Sequence, residues 1–164
     1  MSPYVEPLAL LLGKHHRLAD VGSIPLTSLE NETLLLFPRE LAPGYYDRVI
    51  AACEQSGFQP RVRTFTDPPP QAMVARLQAT REVGLPPASF AFHAAAAEPG
   101  VVARKIVQPE IPVERSILWA ARAQSAAIAR FLERARRCSE ENGWLVLSDE
   151  VTSAEVNAPS PSSR

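Results

Sequence analysis

The sequence predicts an α/β domain, in which a sheet rich in parallel strands is flanked by helices. Continuous apolar runs at 8–12 and 33–37 indicate strands that are buried on both faces, as in sheets covered by helices. Segments with helical periodicity alternate with the strand patterns, and this alternation is typical of α/β architecture. Composition agrees, because 46% of the 164 residues are hydrophobic and 21% are charged, the profile of a globular domain.

Local signals give the bounds of each predicted element. Gly13 and Pro38 end the two apolar strands and Gly57 ends the first helix, because glycine and proline interrupt regular structure. The prolines at 68–70 begin the second helix, since proline is tolerated in a first helical turn. The predicted strands are 8–12, 33–37, 58–65, 83–85, 101–106 and 116–120, and the predicted helices are 43–56, 71–80, 88–97 and 123–138. The Ser, Pro, Ala and Asn of 151–164 predict a disordered tail.

Charge and motif content argue against several classes of protein. A net charge of −1 disfavours DNA binding by this polypeptide alone, since phosphate contacts need a basic excess. The apolar run at 8–12 is far shorter than the ~20 residues that span a membrane, so we expect a cytoplasmic protein. Cys53 and Cys138 lack CxxC spacing and are expected to be buried or half-buried thiols. His15 and His16 have no acidic partner at ligand spacing, so we expect them on a surface loop.

Enzymatic motifs are scarce in the chain. It has no Gly-x-Ser-x-Gly, no glycine-rich phosphate loop and no paired metal-ligand motif. The sequence therefore predicts a protein that is not an enzyme and that has no metal site and no cofactor.

Several segments, taken in order, resemble the effector-binding domain of LysR-type transcriptional regulators. They are HRLA (16–19), LLLFPRE (34–40), YDRVIAAC (46–53), GFQPRV (57–62), VGLPPAS (83–89), PGVVAR (99–104) and LWA (118–120). The order and spacing of all these segments carry the resemblance, which covers residues 6–138.

The resemblance implies a fold like that of periplasmic binding proteins, with two α/β lobes and a small-molecule cleft between them. Residues 6–138 would form a partial effector-binding domain, with a complete second lobe at 23–106. The returning strand and helix of a truncated first lobe would lie at 115–138. On this interpretation the winged helix-turn-helix is absent from the chain, and DNA is contacted only indirectly through that missing domain.

Two segments are candidate effector contacts. The turn of Pro38, Arg39, Glu40 and Leu41 follows a strand, where α/β proteins bind ligands, and the resemblance also implies effector contacts there. Arg39 could pair with an effector carboxylate through two hydrogen bonds, or it could form a solvated pair with Glu40 that caps a helix. Thr66 and Asp67 begin the next helix, either facing the same cleft or serving only as caps.

The chain departs from the family pattern at Thr80-Arg81-Glu82, where the family tends to have Gly-x-Gly. If those glycines serve a turn with positive φ, Thr80 and Glu82 would strain it. The apolar face of the last helix, with Phe131 and Leu132, would cover strands that this chain does not encode. An uncovered apolar stripe predicts association, rearrangement or partial disorder.

These observations support two functional hypotheses. The first is a regulatory domain that senses a small molecule, such as an organic or aromatic acid, and modulates transcription as part of an oligomer. The second is a truncated or relic interaction protein that associates with intact LysR-type regulators without sensing.

Overall fold

The computed structural model describes residues 4–65, 70–115 and 125–141, and the chain divides into two compact units. One unit is Val5–Val113, and the other comprises Met1–Tyr4 with Glu114–Arg164. The strands are β1 Tyr4–Pro7, β2 Ala9–Gly13, β3 Ser23–Pro25, β4 Thr33–Leu36, β5 Arg61–Thr64, β6 Val83–Gly84, β7 Val101–Val107 and β8 Pro112–Arg115. The helices are α1 Pro43–Gln55, α2 Pro70–Ala79, α3 Ala88–Ala97 and α4 Ala126–Glu141, with 3₁₀ turns at Leu26–Leu29 and Arg39–Leu41.

A six-stranded sheet in the order β3-β7-β2-β6-β4-β5 forms the centre of the Val5–Val113 unit. The pairings β3–β7, β4–β6 and β4–β5 are parallel, whereas β2 is antiparallel to both of its neighbours. Strand β2 therefore runs against the other five strands of this sheet. The predicted α/β fold is confirmed, including a sheet in which parallel strands predominate.

Helices cover both faces of this sheet. Leu10 and Leu12 of β2 lie in a core cluster that includes Val49 of α1. Leu11 lies in a second cluster with Leu77 of α2 and residues of α3. Successive side chains of a strand point to opposite faces, so one apolar run supplies both clusters. All five residues of β2 are buried, as the uninterrupted apolar run predicted.

The predicted and observed elements differ mainly in the short strands. The helix predicted at 88–97 has those bounds, but the last helix begins at Ala126 and ends at Glu141. Strands β1, β3 and β8 were not predicted; they have three or four residues each and contain prolines. Such segments are too short to show a clear two-residue period. The predicted strand at 116–120 and the tail at 151–164 lie outside the described residues.

His16 does not lie on a surface loop, which corrects the prediction for this residue, whereas His15 is exposed. His16 is buried, and its Nε2 lies 3.1 Å from Oε2 of Glu32. Its Nδ1 accepts a hydrogen bond from the Leu18 amide at 3.2 Å, so Nε2 carries the proton donated to Glu32. Arg17 donates to the other oxygen of the Glu32 carboxylate at 2.6 Å. The acidic partner lies 16 residues further along the chain, beyond the reach of local spacing rules.

The prediction of backbone strain at Thr80 and Glu82 was also wrong. Within the described part of the chain, positive φ occurs at Gly57 and Gln108 and not in this turn. Glu82 is buried and accepts hydrogen bonds from Arg76 at 2.5 and 3.0 Å. Nε of Arg63 lies 3.0 Å from the same carboxylate. The paired Glu82 carboxylate in this turn thus joins α2, β5 and the start of β6.

The Glu82 network predicts loss of stability in acid. Hydrogen bonding to Arg76, with further attraction to Arg76 and Arg63, lowers the pKa of Glu82 from its ordinary value of 4.5. A carboxyl whose pKa is lower in the folded state stabilises the fold above its unfolded pKa. That contribution disappears as the pH falls through the folded pKa. We therefore expect Glu82→Gln to flatten the fall in unfolding free energy below about pH 4.5, measured by urea denaturation at several pH values.

Glu110→Gln is the matched control for this measurement, since Glu110 is exposed. It should keep the wild-type pH dependence. An identical slope for Glu82→Gln and wild type would contradict a folded-state role for the Glu82 carboxylate.

Two further findings concern thiols and exposed apolar surface. Cys53 is buried, which raises the pKa of its thiol to about 11, and Cys138 is half-buried.

On α4, Phe131 is 57% exposed. Within the described ranges, no helix is long and apolar enough to cross a membrane, and no group of His, Cys, Asp and Glu could hold a metal ion.

Candidate ligand-binding site

An apolar pocket of about 250 Å³ lies at the carboxyl ends of three parallel strands. Phe37, Phe65 and Leu85 are the first residues after β4, β5 and β6, and all three line it. Because parallel strands end at the same edge of a sheet, residues far apart in sequence meet here. Open α/β sheets bind ligands at this edge.

The three helices of this unit complete the pocket wall. Tyr45 comes from the first turn of α1, Met73 from α2 and Phe90 from α3, while Pro86 and Pro87 form the β6–α3 connection. No charged side chain of the described residues lines the pocket. Such a wall suits the hydrocarbon part of a ligand, above all a flat ring.

Tyr45 is the polar group of this wall, and its hydroxyl is already engaged. It donates a hydrogen bond to the carbonyl oxygen of Leu85, which ties α1 to the end of β6. Burial raises the pKa of Tyr45, so the phenol is neutral at ordinary pH. The ring of Tyr45 lies 4.9 Å from that of Phe37, with a 35° angle between the ring planes. The hydrogen bond fixes this ring and gives the pocket a preformed aromatic side.

The N-terminus of α3 is occupied by a carboxylate of the protein itself. Glu6 is only 3% exposed and accepts hydrogen bonds from the amide of Ser89 at 2.8 Å and from its hydroxyl at 3.1 Å. A carboxylate is favoured there because the first amides of a helix lack intrahelical partners and carry a partial positive charge. Ser89 is therefore a structural residue that joins β1 to α3.

The predicted turn of Pro38, Arg39, Glu40 and Leu41 directly follows the pocket residue Phe37. Pro38 is partly buried and the next three residues are exposed. Nε and Nη2 of Arg39 each donate a 2.6 Å hydrogen bond to Asp47. The structure thus pairs Arg39 with Asp47, one turn into α1, rather than with Glu40. This pair raises the pKa of Arg39 and lowers that of Asp47, so both groups stay charged.

Thr66 and Asp67, the other predicted contacts, lie outside the described residues. They follow Phe65, which lines the pocket. The pocket wall itself was not predicted as a site; it is lined by Leu35, Leu36, Phe37, Tyr45, Phe65, Met73, Leu85, Pro86, Pro87 and Phe90. One signal could have found several of these residues, because the residue after each predicted parallel strand belongs at the ligand-binding edge whether it is polar or apolar.

Comparison with known proteins adds independent information. The family model described as the LysR substrate binding domain matches residues 4–139. The HTH-type transcriptional regulator TcbR of Pseudomonas sp. strain P51 is 30% identical over 129 residues, which are 79% of this chain and 40% of TcbR. The regulator BudR of Raoultella terrigena is 25% identical over 128 residues, 78% of this chain and 43% of BudR. The chain thus spans less than half the length of these curated relatives.

Solved structures give the same result for the fold. CbnR, a LysR family transcriptional regulator, superposes with a TM-score of 0.67 at 25% identity, covering 84% of this chain and 46% of CbnR. The reduced OxyR regulatory domain from Pseudomonas aeruginosa has a TM-score of 0.63 at 20% identity, covering 83% of this chain and 64% of that domain. The OxyR likeness concerns the fold alone.

Proposed function

This chain belongs to the LysR substrate binding domain family, and from that premise we propose that it is the effector-sensing part of a transcriptional regulator. The effector we propose is a small organic or aromatic acid. The relatives of this chain are transcriptional regulators and not enzymes. DNA contact would come through a separate helix-turn-helix domain of the complete regulator, as in the relatives that are named for one.

The apolar pocket at the carboxyl edge of β4, β5 and β6 is the observation that carries this proposal. Its volume of about 250 Å³ is just below the roughly 300–1,000 Å³ usual for drug-sized ligands, so a compact effector fits it best. The rings of Phe37, Tyr45 and Phe65 favour stacking or edge-to-face contact with an aromatic effector. A single ring is the largest aromatic group that we expect this pocket to enclose.

Arg39 is our candidate for reading the acid group. The turn that carries it, from Pro38 to Leu41, leaves the pocket wall at Phe37. Asp47 engages the Nε–Nη2 edge of the guanidinium, so the Nη1–Nη2 edge is the one that would meet an effector carboxylate. Asp47 would hold the guanidinium in one orientation. Thr66 and Asp67 stay proposed contacts of the same site.

Substituting Arg39 should weaken binding of an acid selectively. We expect Arg39→Gln to reduce affinity for benzoate by roughly 10–100-fold, the equivalent of a charged hydrogen bond, and affinity for benzamide by less than about threefold. Isothermal titration of both ligands on purified protein measures this difference. Arg61→Gln, at the opposite end of β5 and also exposed, is the control and should bind both ligands like wild type.

Equal losses for benzoate and benzamide in Arg39→Gln would remove Arg39 from the role of acid reader but keep the pocket. If wild-type protein bound neither benzoate, benzamide nor a short aliphatic acid, the sensing function itself would be contradicted.

A second candidate function is association with intact LysR-type regulators without sensing, and the exposed Phe131 favours it. Phe131 lies on the apolar face of the amphipathic helix α4, and an apolar helix face that stays exposed marks protein contacts. The proposed assemblies are a homo-oligomer or a mixed oligomer with such a regulator. Co-purification with a full-length relative, with and without Phe131→Asp, separates this role from effector sensing.

A further inference from the structure

We propose that Phe90 limits the size of the effector, because it closes the ligand pocket off from a second cavity between α2 and α3. This inference rests on the proposed sensing function and adds to it the residue that selects among ligands. Residues on the C-terminal side of Phe90 along α3 line the second cavity, whereas the end of β4 and the residues that directly follow β4, β5 and β6 line the first.

The two cavities share one residue of their walls. The first has a volume of about 250 Å³ and the second about 280 Å³, and Phe90 lines both. The neighbouring residues Met73 and Val74 of α2 divide in the same way, since Met73 lines the first cavity and Val74 the second. Of the described residues, Phe90 is the one that the two walls share. Its removal should join the two spaces and roughly double the room for a ligand.

The two cavities differ in chemistry. The first is almost wholly apolar, whereas Gln71, Gln78 and His93 bring amide and imidazole groups to the second, together with the Glu98 carboxylate. A ligand that extended past Phe90 would therefore place its far end among polar groups. Phe90 confines the effector to the apolar side, and this favours compact molecules with one ring or a short chain.

Phe90 can be replaced without removing the centre of the core. It is partly buried and packs against the cluster of α2, α3 and β2, while the fully buried positions of that cluster are Leu11, Leu77 and Ala91. Phe92 lies on the same helix and is exposed, and it lines neither cavity. Phe92→Ala is therefore a matched control for Phe90→Ala, with the same atoms removed from the same helix.

The experiment titrates benzoate and 4-biphenylcarboxylate into wild type, Phe90→Ala and Phe92→Ala by calorimetry. We expect wild type to bind benzoate and to reject the biphenyl acid. Phe90→Ala should bind 4-biphenylcarboxylate at least 10-fold more tightly than wild type does, and Phe92→Ala should behave as wild type. Adding Ala97→Phe to Phe90→Ala places a ring in the second cavity and should abolish the gain.

The outcomes separate this inference from the proposed function. Benzoate binding by wild type without a gain in Phe90→Ala would overturn the role of Phe90 and leave sensing intact, as would equal binding of both acids by wild type. A gain in Phe90→Ala without benzoate binding by wild type would support the partition and contradict the proposed effector class. If circular dichroism shows that Phe90→Ala is unfolded, Phe90→Leu replaces it, and absence of any gain in that variant overturns the inference.

Discussion

A carboxylate at position 73 is expected to abolish binding of an aromatic acid. Met73 lines the apolar pocket and is partly buried, so Met73→Glu would place a negative charge beside the effector's own carboxylate or ring. Like charges a few ångströms apart in a partly dry site repel by several kcal/mol, which corresponds to a loss of roughly 100-fold or more in affinity for benzoate. Calorimetric titration at neutral pH measures the loss.

Met73→Gln is the matched control, because glutamine has the size of glutamate without its charge. We expect it to lose less than about 10-fold in benzoate affinity. Benzamide should distinguish the two variants far less than benzoate does, since it carries no charge. If Met73→Glu bound benzoate as tightly as Met73→Gln, the introduced glutamate would not lie near the ligand, and the pocket would not be the effector site.

Truncating Leu10 should give the largest loss of stability of any change considered for this chain. Leu10 is the second residue of β2, is 0% exposed and belongs to the core cluster that α1 covers. Replacing a buried leucine with alanine costs about 2–5 kcal/mol, through lost burial and the cavity that is left. Domains are stable by only about 5–15 kcal/mol, so Leu10→Ala should shift the urea midpoint strongly or prevent folding.

Leu41→Ala removes the same atoms from a side chain that is 73% exposed. Its unfolding free energy should stay within about 0.5 kcal/mol of wild type. Equal effects of the two substitutions would show that β2 is not the centre of the core. Because Leu41 also belongs to the proposed effector turn, Leu41→Ala serves as a control for stability and not for effector binding.

Local patterns were sufficient for the fold class and for most of the elements. The apolar run of β2, the periodicity of α1 and the proline-bounded α3 each arise from neighbouring residues, and these elements were predicted with small errors in their bounds. Strands β3 and β8 were missed because their stability comes from partners distant in the chain. The pairing of Ile24 with Ile106 is an example, since it joins residues 82 positions apart.

The candidate site was predictable only in part. The turn at 38–41 stays a prediction, made because it follows a strand, and the residues of the pocket wall were not predicted. Phe37, Phe65 and Leu85 read as ordinary apolar residues in the sequence, and only the parallel register of β4, β5 and β6 brings them together. The partner of Arg39 was also missed, since Asp47 becomes its neighbour only after α1 has folded back against the turn.

The sequence by itself determined which segments are apolar, which are helical and where glycine and proline interrupt them, because these properties depend on neighbouring residues. Only the tertiary structure decided what packs against each glycine or proline and which side chains form pairs. Gly13 ends a strand in both descriptions, but a Cβ at Gly13 would lie 2.5 Å from the carbonyl oxygen of Leu77 in α2. His16 and Glu82 looked exposed or strained in the sequence and are buried with charged partners. Close packing and charge pairing act through space, so the order of residues alone does not reveal them.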